Sequence, residues 1–345
     1  MKKKEWQVLL DTVQCKASVK PAAGAIVDSP WIPQYAEVSH LDYYTDMNVW
    51  FTAQQKMKDE LPNFIFLPDY WVEFGMAAEP SGFGCKVNFY MNQPTAISHI
   101  VNSADDIEML SGVHVPNPYH DGLMPLVINY YKNVNPRVKE IGEEIKIVAS
   151  RGPLNIAAQM MGVSEFLCAV KLYPDQAHML LRKTTALVKD WLSAQADVLD
   201  SVEGIMVLDD IAGFFSEQDY LEFAHTYLSD IFSSFSVPVR IFHNDTDNPV
   251  SYPYIEKLGV NMFNMTHLQP ISRIRELVGD NVALLGNIPP LQVLGVGTVT
   301  QVEEYTRACL SLTQHCGGGL MISAGGGISP GTPIENLVAM QKATQ

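Results

Sequence analysis

Residues able to do chemistry gather just past short apolar runs in this chain. The clearest case is Val239-Arg240-Ile241-Phe242-His243-Asn244-Asp245-Thr246-Asp247, where a β-branched and aromatic run breaks into a histidine and two acids. Imidazole and carboxylate both suit Zn²⁺, and an i,i+2 spacing lets His243 and Asp245 converge at a turn. The plainer alternative is a loop histidine hydrogen-bonded to its neighbours. Asp209-Asp210 follow Gly204-Ile205-Met206-Val207-Leu208 in the same way. They offer a further metal ligand or a general base, or else a helix N-cap with a first-turn acid.

The same position recurs along the chain. Asp69 and Tyr70 end the run Asn63-Phe64-Ile65-Phe66-Leu67, with Trp71 next to them. Arg151 and Asn155 follow Ile145 to Ser150, Asn264 closes Asn261 to Met265, and Asn287 closes Val282 to Gly286. Gly325-Gly326-Gly327 follow Leu320 to Ser323. The glycine run lacks a P-loop lysine and a strand–turn–helix context, so it reads as room for a ligand rather than a phosphate cradle.

Apolar runs alternating with helical stretches imply a parallel sheet covered on both faces. Helices are expected over 45–60, 123–144 with a break near Pro136, 154–199 with a break near Pro174, and 217–235. No G-x-G-x-x-G turn follows the first strand, which disfavours an open dinucleotide-binding sheet. Seven or eight such units without a change of composition favour a closed (β/α)8 barrel, in which functional groups collect at the C-terminal strand ends. Residues 1–60 show no βα rhythm and read as an N-terminal cap, leaving 61–345 as the barrel. Cys168, among Phe166, Leu167 and Ala169, reads as core. Cys316, just ahead of the last strand, falls at the far end of the barrel from His243, and Cys309 sits in the helix before it, so neither is a good ligand candidate.

Composition narrows the function classes. A net charge of −15 removes the basic footprint that nucleic acid or an anionic membrane requires. No apolar stretch approaches the roughly 20 residues of a membrane span, and the basic start lacks a signal-peptide core, so a cytoplasmic protein is expected. Five scattered cysteines with no C-x-x-C pair argue against a disulfide framework.

Several of these segments together resemble the uroporphyrinogen decarboxylase superfamily. They are Arg151-Gly152-Pro153-Leu154 with Ala157 and Met161-Gly162, then Leu208-Asp209-Asp210, then Phe242-His243-Asn244-Asp245, and finally Gly325 through Asn336. The resemblance implies a distorted (β/α)8 TIM-type barrel, here with an irregular N-terminal extension. It implies either porphyrinogen decarboxylation or zinc-dependent methyl transfer involving a corrinoid protein. Asp69 matches the decarboxylase's essential aspartate, but the arginine-rich N-terminal motif is absent. The methyltransferase branch has His-x-Cys after this strand and a Cys between the late glycines. Here His243 matches, Asp245 replaces the first cysteine, and Gly326 stands where the second would be.

The resemblance therefore implies a methyltransferase that moves a methyl group from a small O-methyl donor, such as a methoxyaromatic, to Co(I) cobalamin carried by a partner corrinoid protein. Asp69, Asp209, Asp210 and His243 are the candidate catalytic residues. Zinc would sit on His243 and Asp245 with Asp209 or Asp210. Tyr70, Trp71, Arg151, Asn155, Asn264, Asn287 and Gly326 would face substrate. A decarboxylase-like lyase using Asp69 and a non-catalytic ligand-binding protein are the other readings, and a homodimer is an open state.

Overall fold

The computed structural model describes residues 1–16, 20–313 and 317–345. Eight parallel strands form one sheet: β1 (Ala22–Ile26), β2 (Ile65–Leu67), β3 (Ile147–Arg151), β4 (Gly204–Leu208), β5 (Val239–Asn244), β6 (Met262–Met265), β7 (Ala283–Leu285) and β8 (Leu320–Ile322). Their order is β2-β1-β8-β7-β6-β5-β4-β3, so the barrel closes everywhere except between β2 and β3. This is the TIM-type (β/α)8 fold, distorted at that seam. The connection across the seam carries a small hairpin of Val87–Asn88 with Ala96–Ile97.

Side chains alternate along each strand, and the two faces make two separate cores. Ile26, Leu67, Ala149, Leu208, Ile241, Met262, Leu285 and Met321 fill the barrel interior. Val148, Val207, Phe242, Phe263 and Leu284 pack outward under the helices. Helix α1 (Lys3–Val13) sends Trp6, Leu9 and Val13 into the interior cluster. It covers the end where strands begin, because Thr12 abuts Gly319, just ahead of β8.

Strand β1 lies within the stretch 1–60 that pattern alone assigned to a cap, so the barrel begins before residue 61. The strand is Ala-Ala-Gly-Ala-Ile, and its small residues hide it from any β-propensity reading. Their size has a reason. A Cβ on Gly24 would stand 2.5 Å from Met321 Sδ and 2.6 Å from Ile65 O.

The helix expected over 45–60 spans Met47–Glu60. Helix Met124–Glu140 runs unbroken through Pro136. The long region after β3 divides into Pro153–Met161, Val163–Leu172 and Pro174–Asp197, broken at Gly162 (φ +103°) as well as before Pro174. In the middle helix Phe166, Ala169 and Val170 face inward, which turns Cys168 to solvent rather than into the core. Cys309 is buried, while Cys316 lies outside the described residues. No single helix among the described residues is long and apolar enough to cross a membrane.

Overpacking the β1–β2–β8 contact should be costly. Gly24→Ala is expected to lower unfolding free energy by about 1–3 kcal/mol, read as a lower denaturation midpoint at unchanged denaturant slope.

Candidate metal centre

Alternation decides which side chains reach the barrel mouth. Met206 and Leu208 point inward, so Asp210 does too, whereas Asp209 follows Val207 outward. The same count brings Arg151 in above Ala149, His243 above Ile241, Asn264 above Met262 and Asp28 above Ile26. Strand register then sets His243 beside Leu208 on one side and Asn264 on the other.

The orientation of the His243 ring follows from its neighbour. Asn264 Nδ2 donates to the carbonyls of Leu285 (2.7 Å) and Ala324 (3.2 Å), which can only accept. Its Oδ1 therefore faces His243 Nδ1 at 2.6 Å and must receive a proton from it. That leaves Nε2 as the ring nitrogen facing the carboxylates, 3.4 Å from Asp210 Oδ1, where a cation would displace any proton it carries. Ligand atoms of Asp210, His243 and Asp245 all fall within 4.8 Å of one another. Burial raises the pKa of Asp245; the His243 ring opposes the rise, and the Asp210 carboxylate adds to it.

An imidazole nitrogen and two crowded carboxylates are a donor set for a divalent cation. The hydrogen bond to Asn264 supplies the outer support that ligand histidines commonly have. Gly326, with φ +116°, completes the fit, because any Cβ there would collide with Asp245 Oδ2. The space at Gly326 thus holds the Asp245 carboxylate, not a ligand. Gly325 similarly makes room for His267, whose charge acts on Asp245.

Other candidates are placed differently. Asp209 is fully buried and accepts the backbone N–H groups of Leu154 (2.9 Å) and Asn155 (3.2 Å), capping the helix after β3. It is not among the clustered ligands. Gly152 has no side chain because Asp209 fills that space. Asn155 Nδ2 donates to Leu208 O at the end of β4, and Asn287 Nδ2 donates to Gln269 O, so both amides are spent on backbone carbonyls.

Asp69 binds Lys58 Nζ at 2.8 Å and the Met1 amino group at 2.6 Å. Burial alone would raise its pKa, but these two cations hold it below the ordinary value. Glu143, just ahead of β3, shares Lys58 at 2.6 Å, which sets this buried cluster toward the strand-start side of the seam. Tyr70 belongs to it as well, taking a hydrogen bond from Gln55 and donating one to Glu143. Trp71 is in the barrel interior with the Arg151 guanidinium 5.0 Å above its ring.

Two acids at the mouth escaped the sequence reading. Asp28 Oδ2 lies 3.9 Å from Arg151 Nη2, and burial raises its pKa against the pull of Arg151 and His243. Glu73 accepts the Ser29 N–H at 2.9 Å and the Gly75 N–H. Burial, with the Asp28 charge, pushes its carboxyl up to about 7. Asp28 follows β1 just as Asp245 follows β5, so recognising that strand would have revealed it.

Comparison with known proteins agrees with this architecture. The model of the family described as "Uroporphyrinogen decarboxylase (URO-D)" matches residues 34–345. The chain belongs to the uroporphyrinogen decarboxylase family. Its relatives include both decarboxylases and methyltransferases. The uroporphyrinogen decarboxylase of Wigglesworthia glossinidia brevipalpis is 26% identical, with 75% of this chain and 71% of that protein covered. The methylated-thiol–coenzyme M methyltransferase of Methanosarcina mazei is 23% identical over 79% of this chain and 70% of its own. The methylcobamide:CoM methyltransferase MtbA of Methanosarcina acetivorans is 26% identical over 78% and 77%. Among solved structures, a methyltransferase from Methanosarcina mazei superposes with a TM-score of 0.83 at 17% identity, covering 99% of this chain and 98% of that one. That likeness bears on the fold alone.

The neighbouring aspartates should separate cleanly by experiment. Asp209→Ala orphans buried N–H groups and is expected to cost about 1–3 kcal/mol in chemical denaturation. Asp210→Asn and Asp245→Asn, which keep the side-chain size and remove no helix cap, should cost less than Asp209→Ala in the absence of metal.

Glu73 gives a pH dependence with a definite sign. Its folded pKa lies above the ordinary 4.5, so the folded state binds the proton more tightly. Its contribution is therefore complete below 4.5 and is lost as pH rises through about 7. Glu73→Gln should flatten the fall in unfolding free energy across that window in denaturation series at several pH values.

Proposed function

We propose that the chain is a methyltransferase that takes a methyl group from a small O-methyl donor and passes it to the Co(I) centre of a corrinoid carried by a separate protein. The observation that carries this reading is the Asp210–His243–Asp245 group at the barrel mouth, with Nε2 of the imidazole facing the carboxylates. Methyltransferases among the relatives, one of them named for methylcobamide, support it.

A divalent cation such as zinc, held by His243 Nε2 and the two carboxylates, would supply Lewis-acid polarisation of the donor's ether oxygen. Oxygen ligands give up less charge than thiolates, which suits an O-methyl rather than an S-methyl donor. The protein's own contribution is preorganisation. Asn264 holds the imidazole in one orientation, and Gly326 lets the Asp245 carboxylate approach. The apolar layer of Leu208, Ile241, Met262 and Leu285 closes the mouth from below against water.

In the transfer, the Co(I) electron pair forms the new bond to the methyl carbon. The carbon–oxygen pair leaves with the oxygen, which takes a proton from water. The donor must lie between His243 and the incoming corrinoid, with its methyl group facing outward.

The decarboxylase alternative draws less support. A substrate with many carboxylates needs several cations, and Arg151 is the arginine on this rim. Asp69, the matched aspartate, is engaged by Lys58.

Anaerobic incubation with a Co(I) corrinoid protein and a panel of methyl ethers tests the reading directly. Methylation of cobalt, followed by its visible spectrum, is expected from at least one ether. His243→Ala should slow it by about a hundredfold or more, as loss of one transition-state donor does. Failure of every donor to alkylate cobalt would overturn the proposal.

A further inference from the structure

Arg151 is a buried cation whose own protein does not satisfy it. Its side chain is 9% exposed. Among the described residues its guanidinium has only long polar contacts, 3.5 Å from Nη2 to Gly75 O and 3.9 Å from Nη2 to Asp28 Oδ2. Nε is fully buried with no partner. The nearby carboxylates are already in use. Glu73 receives Ser29 N–H and Gly75 N–H through its two oxygens, and Glu79 Oε1 receives Arg151 N–H at 2.9 Å and Ser150 Oγ at 3.2 Å. A guanidinium has five donors in a planar fork, and burying that charge without close acceptors is costly. By contrast, the other deeply buried arginine, Arg275, donates to three backbone carbonyls at 2.7 Å each.

We propose that Arg151 is the recognition site for a carboxylate on the methyl donor, so that the substrate is an O-methylated carboxylic acid. This rests on the reading of the site given above, and it adds the class of substrate. Trp71 beneath the guanidinium fixes its plane. The cavity beside it, lined by Trp71, Glu73, Gly75 and Trp191, is about 10 Å³, room for no more than a water. The carboxylate therefore enters from the mouth, where Arg151 and the Asp210–His243–Asp245 group share the inward-facing rim. Arg151 and His243 both flank Leu208 in the sheet register, two strands apart. A carboxylate on Arg151 leaves the remainder of a small donor to extend toward His243. Asp28 reaches the guanidinium only at 3.9 Å, a long ion pair that leaves its close donor positions to a ligand.

The test compares each acid with its uncharged amide. Wild-type protein is titrated calorimetrically with methoxyacetate and 3-methoxybenzoate, and with methoxyacetamide and 3-methoxybenzamide. At least one acid should bind about ten- to a hundredfold more tightly than its amide, the range of a charge-assisted hydrogen-bonded pair. In Arg151→Gln that preference should vanish, and in Arg151→Lys it should persist in reduced form. Because the ratio is taken within one variant, a loss of folded protein does not imitate the result. An acid-to-amide ratio near one in the wild type, a ratio unchanged in Arg151→Gln, or no saturable binding of any acid in the millimolar range would each overturn the proposal. Binding needs no cobalt, so an intact preference alongside failed methyl transfer would reject the proposed reaction while leaving carboxylate recognition standing.

Discussion

In a barrel of parallel strands every second side chain points inward, and the last inward position before each loop is the one that can meet a substrate. The site of this protein depends on that constraint. It makes Asp210 a neighbour of His243 and turns Asp209, one residue earlier, into the cap of the helix after β3. It also brings Arg151, Asn264 and Asp28 to the same mouth from strands far apart in sequence. A slip of one residue in any strand would exchange the functional side chain for a structural one.

A second layer of order comes from hydrogen bonds that admit one arrangement. Two carbonyls that can only accept fix the Asn264 amide, the amide orients the His243 ring, and the ring turns Nε2 toward the carboxylates. Glycine at 326 belongs to the same logic, since its missing side chain is what admits the Asp245 carboxylate. Asp245 and Gly326 thus depend on each other, since the carboxylate fills the space a side chain at 326 would need.

The barrel and most of its strands were legible because buried parallel strands read as short apolar runs that end abruptly in polar residues. His243, Asp210 and Asp245 were found for that reason. Strand β1 was not, because Ala22, Ala23, Gly24 and Ala25 carry little β signal, and Asp28 went unseen with it. Asp209 stays open between ligand and helix cap in the sequence because period-2 phase cannot be assigned without knowing which face of Val207 and Leu208 is the interior. Asn155 and Asn287 have the right position but spend their amides on backbone carbonyls. Asp69 and Tyr70 follow β2, yet the seam beside that strand lets Lys58 and Glu143 draw them away from the mouth. The exposed Cys168 shows a related limit: apolar neighbours in sequence are not neighbours on a helix face.

The central claim is that Asp210, His243 and Asp245 form a site for one divalent cation. A crystal structure of the protein equilibrated with Zn²⁺, with anomalous data at the zinc edge, tests it most directly. The account predicts an anomalous peak about 2.0–2.2 Å from His243 Nε2 and from one oxygen each of Asp210 and Asp245. Absence of a peak there under conditions that saturate the crystal, or a cation bound to other residues alone, would contradict it.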